Sequence, residues 1–358
     1  MCVDLIELHP GTLRSSLWIS DIFQHQIRKF DGCLNKNTFP VFIVHGDMAL
    51  GLKDRSLNFR LFSYLNQESH SFGLIHIYDE NYDHDISSYY LEKCVLVFRN
   101  FFRPQGGMFQ FLKDYSKSFS YPIYSQSKHS GIKLQASKLR TRFYGFQFMK
   151  RQYLPSLPTK KIFHFPLGYI DRFAIEKKNN LLKITDREYK WSFCGDSFKT
   201  DRKLMVEYLS NCQPNFIHEY KGFTGKGSLS GEDYWIFLTK SIFIPCPFGN
   251  VNIDSYRLFE ALEAGAIPII LKSYAFQPYD YYKNLLGEHP IPTFYSWQEV
   301  KLFIDNINIT TIEELYEKVS KWYANFKFNL KQEIRETLLK TAKGNLLSHD
   351  VKQLDKYM

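Results

Sequence analysis

An arginine and two glutamates follow one another at helical spacing in a segment enclosed by two strand patterns. Arg257, Glu260 and Glu263 are three residues apart, so a helix places them along one face. A helix N-terminus favours an anion, because its first N–H groups are unsatisfied and its dipole is positive there. Arg257 in the first turn is electrostatically unfavourable unless it contacts an anion, and Glu260 can accept hydrogen bonds from the hydroxyls of a ribose. The pattern indicates a nucleotide site. The alternative is an amphipathic helix with a surface Arg–Glu pair.

Acidic residues and histidines crowd another ten residues of the chain. They are His76, Asp79, Glu80, Asp83, His84 and Asp85. Asp83-His84-Asp85 fits the Asp-x-Asp pattern by which one class of transferases holds Mn²⁺ on a diphosphate, and the cluster also suits a hydrolase metal site. The pattern is short and common, and here it lies in a polar stretch. We therefore predict no metal ligand and keep metal dependence as an alternative.

Strand and helix patterns alternate along the chain. Strands are predicted over 41–44, 73–77, 94–98, 161–165, 189–194, 241–244 and 267–271. Helices are predicted over 55–66, 87–93, 201–209, 231–239, 254–264 and 297–326. The alternation predicts an α/β fold of two doubly wound, Rossmann-like domains, with ligands at the carboxyl ends of the strands. A polar stretch separates residues 1–175 from residues 176–343, and residues 344–358 form a polar tail.

Particular residues are expected to bound these elements. Pro245 and Pro247 should stop the strand before them, and Gly265 should end the helix that begins near Arg257. Thr200 or Asp201 is expected to cap one helix, and Asp254 or Ser255 the other.

Composition narrows the class of protein. The 358 residues carry a net charge of +9, which favours an anionic partner such as a nucleotide diphosphate, an acidic glycan or a phospholipid surface. The basic residues are scattered and no nucleic-acid-binding motif accompanies them, so we expect no nucleic-acid partner. None of the six cysteines is spaced as CxxC, and buried free thiols in a reducing compartment are expected. No apolar run is long enough for a transmembrane helix, and the first ten residues do not resemble a signal peptide.

Several motifs carry a resemblance to a known family. Ser255-Tyr-Arg-Leu-Phe-Glu-Ala-Leu-Glu-Ala-Gly-Ala-Ile-Pro268 resembles the signature of exostosin-like glycosyltransferases, family 47 in the sugar-transferase classification. The preceding strand and Pro-x-Gly loop, Phe243-Ile-Pro-Cys-Pro-Phe-Gly249, is also similar, as is Trp191-Ser-Phe-Cys-Gly195 followed by Arg202. Weaker similarities lie at 76–80, 98–102 and 165–169, so the resemblance runs from about residue 70 to 275.

The resemblance implies a fold and a site. It implies the GT-B architecture, with the acceptor mainly in the N-terminal domain and the nucleotide sugar, a UDP-sugar, in the C-terminal one. It implies inversion at the anomeric carbon, no metal held by the catalytic domain and no cofactor. Retaining enzymes of this fold pair two glutamates eight positions apart, and Asn252 stands where the partner of Glu260 would be. The donor residues carried over are Gly195, Arg202, Pro247, Gly249, Ser255, Tyr256, Arg257, Glu260 and Glu263.

An inverting transfer also requires a general base for the acceptor hydroxyl. Glu80, and after it Asp79, are the candidates because both follow a predicted strand. His76, Arg99 and His45 are candidates for acceptor or phosphate contacts. The acceptor is expected to be a glycan or a lipid-linked glycan. We expect a cytoplasmic enzyme with peripheral membrane contact, or a Golgi enzyme if the chain is part of a longer protein. The alternative from another class is an inactive glycan- or nucleotide-binding module.

Overall fold

Two compact units make up the chain in this computed structural model. It describes residues 2–9, 13–45, 56–79, 86–101, 107–119, 132–153, 158, 161–171, 181–197, 201–221, 227–249, 252–273 and 277–357. The first unit comprises Met1–Gln105, Arg151–Leu167 and Lys327–Met358, and the second comprises Gly106–Lys150 and Gly168–Phe326. The predicted boundary between residues 175 and 176 lies outside the described residues.

The first unit is built on a parallel sheet of six strands. They are β1 (Cys2–Glu7), β2 (Ile27–Lys29), β3 (Thr38–His45), β4 (Phe72–Ile77), β5 (Cys94–Arg99) and β6 (Ile162–His164), in the order β2-β1-β3-β4-β5-β6. Helices α1 (Ser16–Phe23) and α2 (Ser56–Gln67) also belong to this unit. The side chains of β3 and β4 are buried throughout, as expected for parallel strands covered on both faces.

The second unit is built on a parallel sheet of five strands. They are β7 (Tyr189–Gly195), β8 (Asn215–Glu219), β9 (Ser241–Cys246), β10 (Ile267–Leu271) and β11 (Thr293–Phe294), in the order β11-β10-β9-β7-β8. The remaining helices are α3 (Gly107–Ser118), α4 (Ile132–Tyr153), α5 (Arg202–Leu209), α6 (Gly231–Thr239), α7 (Tyr256–Glu263), α8 (Tyr281–Leu286), α9 (Trp297–Asn306) and α10 (Ile309–Ala342). The predicted α/β class with two parallel sheets is therefore confirmed.

Some predicted elements differ from the structure. The helix expected over 87–93 is a short 3₁₀ turn, Ser87–Tyr90, before β5 begins. Pro245 does not stop β9, which continues to Cys246 beside β10. The single helix expected over 297–326 is two helices, α9 and α10, with a break at residues 307–308.

The predicted C-terminal tail is packed rather than frayed. The N–H groups of Leu347 and Val351 donate to the carbonyls of Thr38 and Leu34, at 3.0 and 2.9 Å. Leu347, Val351 and Leu354 are buried in the hydrophobic core of the first unit. Burial of three apolar side chains holds this segment against the sheet although its sequence is mostly polar.

The structure bears on two expectations from the sequence, one about the state of the cysteines and one about transmembrane helices. The five cysteines that the structure describes are free thiols, and four of them are buried. Within the described ranges, no helix combines the length and apolarity needed to cross a bilayer.

The end of α7 is fixed by a glycine and a buried arginine. Gly265 has φ +63°, the left-handed conformation that ends many helices, so the predicted helix end is confirmed. A Cβ at this position would lie 3.1 Å from Nη2 of Arg187. The Arg187 guanidinium donates to the carbonyls of Ser241 at 2.8 Å and Ala264 at 3.2 Å. One side chain thus satisfies backbone acceptors at the start of β9 and at the end of α7.

We expect Arg187→Ala to destabilise the protein strongly. The substitution leaves buried carbonyls without a donor, each costing about 1–3 kcal/mol, so the free energy of unfolding should fall by about 3 kcal/mol. Urea denaturation followed by circular dichroism measures this loss. Arg335→Ala, at an exposed position of α10, is the control and should stay within about 0.5 kcal/mol of the unmodified protein. Equal losses in both variants would contradict the assigned role.

Candidate active site

Arg257 is attached to the carboxyl end of the neighbouring strand β7. Its Nη2 donates to the carbonyl of Cys194 at 2.8 Å, and its guanidinium lies 4.8 Å from the centre of the Phe193 ring. A carbonyl at the end of a strand is an available acceptor, and an aromatic face attracts a cation. These contacts fix a positive charge at the start of α7, where the sequence predicted an anion site.

Gly195 allows this attachment. Its φ is +149°, which side-chain-bearing residues rarely adopt, and a Cβ there would lie 3.1 Å from Nη2 of Arg257. The predicted donor residues Gly195 and Arg257 are therefore brought into direct contact. The role of Gly195 in this geometry is to leave room for the guanidinium.

Several hydrogen-bond donors around the start of α7 are buried and lack a partner within the described part of the chain. They are Nδ2 of Asn252, Oγ of Ser255 and Nε of Arg257. Ser255 occupies the N-cap position, but its side chain makes no capping hydrogen bond. Asp254, the other expected cap, instead accepts a hydrogen bond from the Tyr281 hydroxyl at 3.2 Å. Ser255 therefore stands at the predicted cap position without a capping hydrogen bond, and the three donor atoms lie around the beginning of α7.

A neighbouring segment holds the loop before α7. The Gln277 side chain accepts from the Ile253 N–H at 2.7 Å and donates to Oδ1 of Asn252 at 3.0 Å. The Tyr282 hydroxyl donates to the Ile253 carbonyl at 2.9 Å. Because Oδ1 of Asn252 is the accepting end of its amide, Nδ2 is the end left to donate elsewhere.

Glu260 and Glu263 have different surroundings despite sharing a helix. Oε2 of Glu260 accepts from the Tyr234 hydroxyl at 2.7 Å, and both residues are buried. Burial, together with the Glu260 charge, raises the pKa of Tyr234 well above its usual value, so the hydroxyl remains a donor. Oε1 of Glu263 accepts from the Tyr323 hydroxyl of α10 at 2.8 Å. This places Glu263 in the packing between α7 and α10.

The loop after β9 is held through both backbone polar groups of one residue, Phe248. Arg202 donates from Nε and Nη2 to the Phe248 carbonyl at 3.3 and 3.2 Å, and from Nη1 to the Asp196 carbonyl. Oδ1 of Asp201 accepts from the Phe248 N–H at 3.1 Å. The loop also contains Pro247 and Gly249, whose N–H donates to the Asn252 carbonyl at 2.8 Å. Arg202, predicted as a donor-site residue, thus braces the loops that follow β7 and β9.

Asp201 is fully buried between that loop and α9. Its Oδ2 accepts from Nε1 of Trp297 at 2.7 Å. Asp201 stands at the predicted N-cap position of α5 without a side-chain capping hydrogen bond, and Thr200 lies outside the described residues. Burial raises the pKa of this carboxyl to about 6, against the opposing effect of its hydrogen bonds to Trp297 and Phe248.

The first unit has a cluster of hydrogen-bonded polar side chains where β4 and β5 end. Asp79 and Arg99 form an ion pair with both side chains almost entirely buried. The Tyr89 hydroxyl accepts from Nη1 of Arg99 at 3.3 Å and is hydrogen-bonded to Nδ1 of His76. Three of the predicted residues, His76, Asp79 and Arg99, are therefore together. In this arrangement the carboxylate of Asp79 holds the Arg99 guanidinium.

The other predicted residues are not among these hydrogen-bonded side chains or cannot be placed. His45, at the end of β3, has ring contacts with His9 and Tyr78 at 6.2 and 5.7 Å between centroids. Tyr256 begins α7 and is half-buried. Glu80 and the Asp83–Asp85 pattern lie outside the described residues. Among the residues that the structure does describe, no group of three His, Cys, Asp or Glu side chains is arranged to bind a metal.

Sequence reasoning missed partners that are distant along the chain. Tyr234 precedes Glu260 by 26 residues, Trp297 follows Asp201 by 96, and neither pair has a motif that connects it. The sequence pattern distinguishes Asn252 only as the residue that replaces the second glutamate of retaining enzymes. In the structure its amide is part of the candidate site. A cluster of polar residues just before a predicted helix was the available signal.

A known family matches the C-terminal part of the chain. Residues 170–342 match the family model described as the RXYLT1 C-terminal domain, which is just under half of the chain. No curated protein matches the sequence at a significant level. The family match supports a glycosyltransferase.

Solved structures are similar over nearly the whole chain. Anabaena Alr3699/HepE, in complex with UDP and glucose, is 11% identical with a TM-score of 0.45, over 95% of this chain and 100% of that one. T4 phage BGT, in complex with its UDP-glucose substrate, is 10% identical with a TM-score of 0.43, over 96% and 99%. An α1,3-fucosyltransferase is 13% identical with a TM-score of 0.40, over 95% and 90%.

Asp201 gives a pH-dependent prediction. Its folded-state pKa, about 6, is above the unfolded value of 3.8, so the folded protein binds the proton more tightly. The resulting stability is present below pH 4 and is lost as the pH rises through 6, by about 3 kcal/mol in total. The free energy of unfolding of the unmodified protein, minus that of Asp201→Asn, should therefore fall between pH 4 and pH 7. Urea titrations at several pH values measure this difference, and a constant difference would contradict the prediction.

Proposed function

We propose that the protein is an inverting glycosyltransferase that transfers a sugar from a UDP-sugar to a hydroxyl of a glycan or lipid-linked glycan. The observation that carries the proposal is the set of unsatisfied donors at the start of α7. Asn252, Ser255 and Arg257 each bury a donor atom that has no acceptor within the described part of the chain. A buried donor without a partner costs about 1–3 kcal/mol, and the oxygens of a bound diphosphate would remove that cost.

These donors matter because of the negative charge on the leaving group. As the bond between the sugar and the diphosphate breaks, negative charge develops on the phosphate oxygens, and preorganised donors stabilise it. Arg257 supplies a fixed positive charge, and the N-terminus of α7 adds the partial positive charge of its dipole. In this proposal the protein itself meets the charge, with no metal and no cofactor. A transferase that uses a metal at Asp83 and Asp85 is the alternative.

Glu260 is proposed to bind the ribose of the nucleotide. The Tyr234 hydroxyl orients the carboxylate through Oε2, and each carboxylate oxygen can accept two hydrogen bonds. Vicinal hydroxyls match the two oxygens of one carboxylate. Arg257 lies one turn earlier on the same helix face, which is the order that a ribose followed by a phosphate requires.

The reaction is a single displacement. The acceptor oxygen forms a bond to the anomeric carbon while the bond from that carbon to the diphosphate oxygen breaks on the opposite face. A carboxylate takes the proton of the acceptor hydroxyl. We propose Glu80 for this role, with Asp79 second, because the Asp79 carboxylate is buried against Arg99. The nucleoside diphosphate leaves with the electron pair of the broken bond.

Nucleotide binding tests the donor half of the proposal. A thermal-shift panel of UDP, GDP, ADP and the corresponding nucleotide sugars should show stabilisation by the uridine compounds alone. Arg257→Gln should weaken UDP binding about 10- to 100-fold, the expected effect of losing a hydrogen bond to a charged group. Isothermal titration calorimetry measures that change. Arg335→Gln, an exposed position on α10, is the matched control and should bind UDP normally.

The outcomes of this experiment separate the alternatives. No response to any nucleotide would overturn the proposal. Binding of UDP without sugar transfer to any acceptor would favour the inactive binding module. Transfer that is abolished by excess EDTA and restored by Mn²⁺ would favour the metal-dependent alternative.

Glu80 and Asp79 should respond differently to neutralisation. Glu80→Gln should lower kcat about 100-fold or more with UDP binding unchanged, because a general base contributes in the chemical step. Asp79→Asn should instead destabilise the protein by about 3 kcal/mol or more, because it leaves Arg99 buried without its carboxylate. Glu92→Gln, an exposed glutamate, is the control. Full turnover of Glu80→Gln would exclude that residue as the base.

A further inference from the structure

Helices α3 and α4 expose an unusual number of large apolar side chains. Along α3, Met108 and Leu112 follow at a spacing of four and therefore lie on one face, and the exposed Phe119 directly follows the end of the helix. Phe109 is 82% exposed beside them. Along α4, Leu139 and Phe143 are exposed at a spacing of four.

Aromatic contacts join the two exposed faces into one surface. Phe111 and Tyr115, on the inner face of α3, pack on Phe146 of α4 with centroids 5.4 and 5.1 Å apart. The Arg142 guanidinium lies 4.5 Å from the centre of the Phe119 ring. This contact places the end of α3 beside the part of α4 that contains Phe143. We name this surface the α3–α4 surface, and its exposed apolar members are Met108, Phe109, Leu112, Phe119, Leu139, Phe143 and Tyr144.

The same two helices carry most of the excess positive charge of the chain. Their sequences contain eight Lys and Arg residues and one acidic residue, Asp114, while the whole chain has a net charge of +9. Asp114 is buried, whereas Lys113 and Lys150 are exposed. Lys150 lies seven residues after Phe143 and so on the same face of α4.

We propose that the α3–α4 surface binds a bilayer containing anionic phospholipids. Exposed apolar side chains rimmed by lysine and arginine match the two parts of such a bilayer, acyl chains below and negative headgroups above. An acidic glycan would match only the charge. Leu and Met side chains offer a sugar neither a hydrogen bond nor an aromatic face, and they gain free energy only by leaving water. The proposal does not rest on the transfer reaction and requires no donor.

Vesicle flotation with the full chain tests this surface. We expect the protein to float with vesicles of phosphatidylcholine mixed with phosphatidylserine but not with vesicles of phosphatidylcholine alone, and to be released by salt. Phe109→Ser combined with Phe143→Ser should weaken binding about ten-fold or more, since each ring contributes by entering the bilayer. Lys113→Glu combined with Lys150→Glu should weaken it at least as much.

The matched control is Phe328→Ser on α10, because Phe328 and Phe143 are both 61% exposed. This variant should bind vesicles like the unmodified protein. Thermal melting by circular dichroism verifies folding, and if the double phenylalanine variant melts early, the single variant Phe109→Ser replaces it. Equal binding to both kinds of vesicle, or to neither, would overturn the proposal. It would also be overturned if the lysine variant lost binding while the phenylalanine variant kept it, since that result indicates an acidic polymer instead.

Discussion

The hydrogen bond from Arg257 to the Cys194 carbonyl is the contact on which the candidate donor site depends. It joins the first turn of α7 to the end of β7, so the position of the helix and the position of the charge are set together. A cation in the first turn of a helix opposes the helix dipole, and the strand carbonyl and the Phe193 ring offset part of that cost. The contact also requires Gly195, because any side chain there would meet the guanidinium. A strand end, a glycine and a helix start thereby form one arrangement that holds positive charge where an anion can reach the helix amides.

Two braces keep that arrangement in place from either side. Asp201 and Arg202, adjacent in sequence, bind the N–H and the carbonyl of Phe248, so both peptide groups that flank this residue in the loop after β9 are held. On the other side, Gln277 and Tyr282 hold the residues that precede α7. These contacts satisfy several of the polar groups in the two loops. The donors that they leave unsatisfied lie at the start of α7, which is why we assign the ligand to that position.

The limits of most helices and strands in this region could be predicted from the sequence. The long-range contacts that hold its loops could not. The limits of β10 and the end of α7 at Gly265 follow from apolar runs and from glycine geometry, which act over a few residues. Pro245 misled the prediction of β9, because proline need not end a strand wherever the ladder does not require its missing N–H. The contacts of Asp201 with Trp297 and of Glu260 with Tyr234 join residues that only the folded chain brings together. Residue spacing therefore predicted the candidate site, whereas the long-range contacts that hold it could not be predicted from spacing.

Each unit has a buried arginine, but Arg99 of the first unit is paired with a carboxylate, whereas Arg257 of the second contacts a carbonyl and an aromatic ring. This difference bears on which unit binds the nucleotide. In the first unit, Arg99 is neutralised by Asp79, and an anionic ligand would have to displace that carboxylate before gaining the charge. In the second, no described carboxylate forms an ion pair with Arg257, and the nearest one along the helix face, Glu260, is engaged by the Tyr234 hydroxyl. The positive charge of Arg257 is anchored by a carbonyl and a ring, neither of which cancels it. A diphosphate therefore meets a preorganised cation in the second unit and an already neutral pair in the first, which favours the second unit as the donor site and leaves the Asp79–Arg99 pair to position the residues around it.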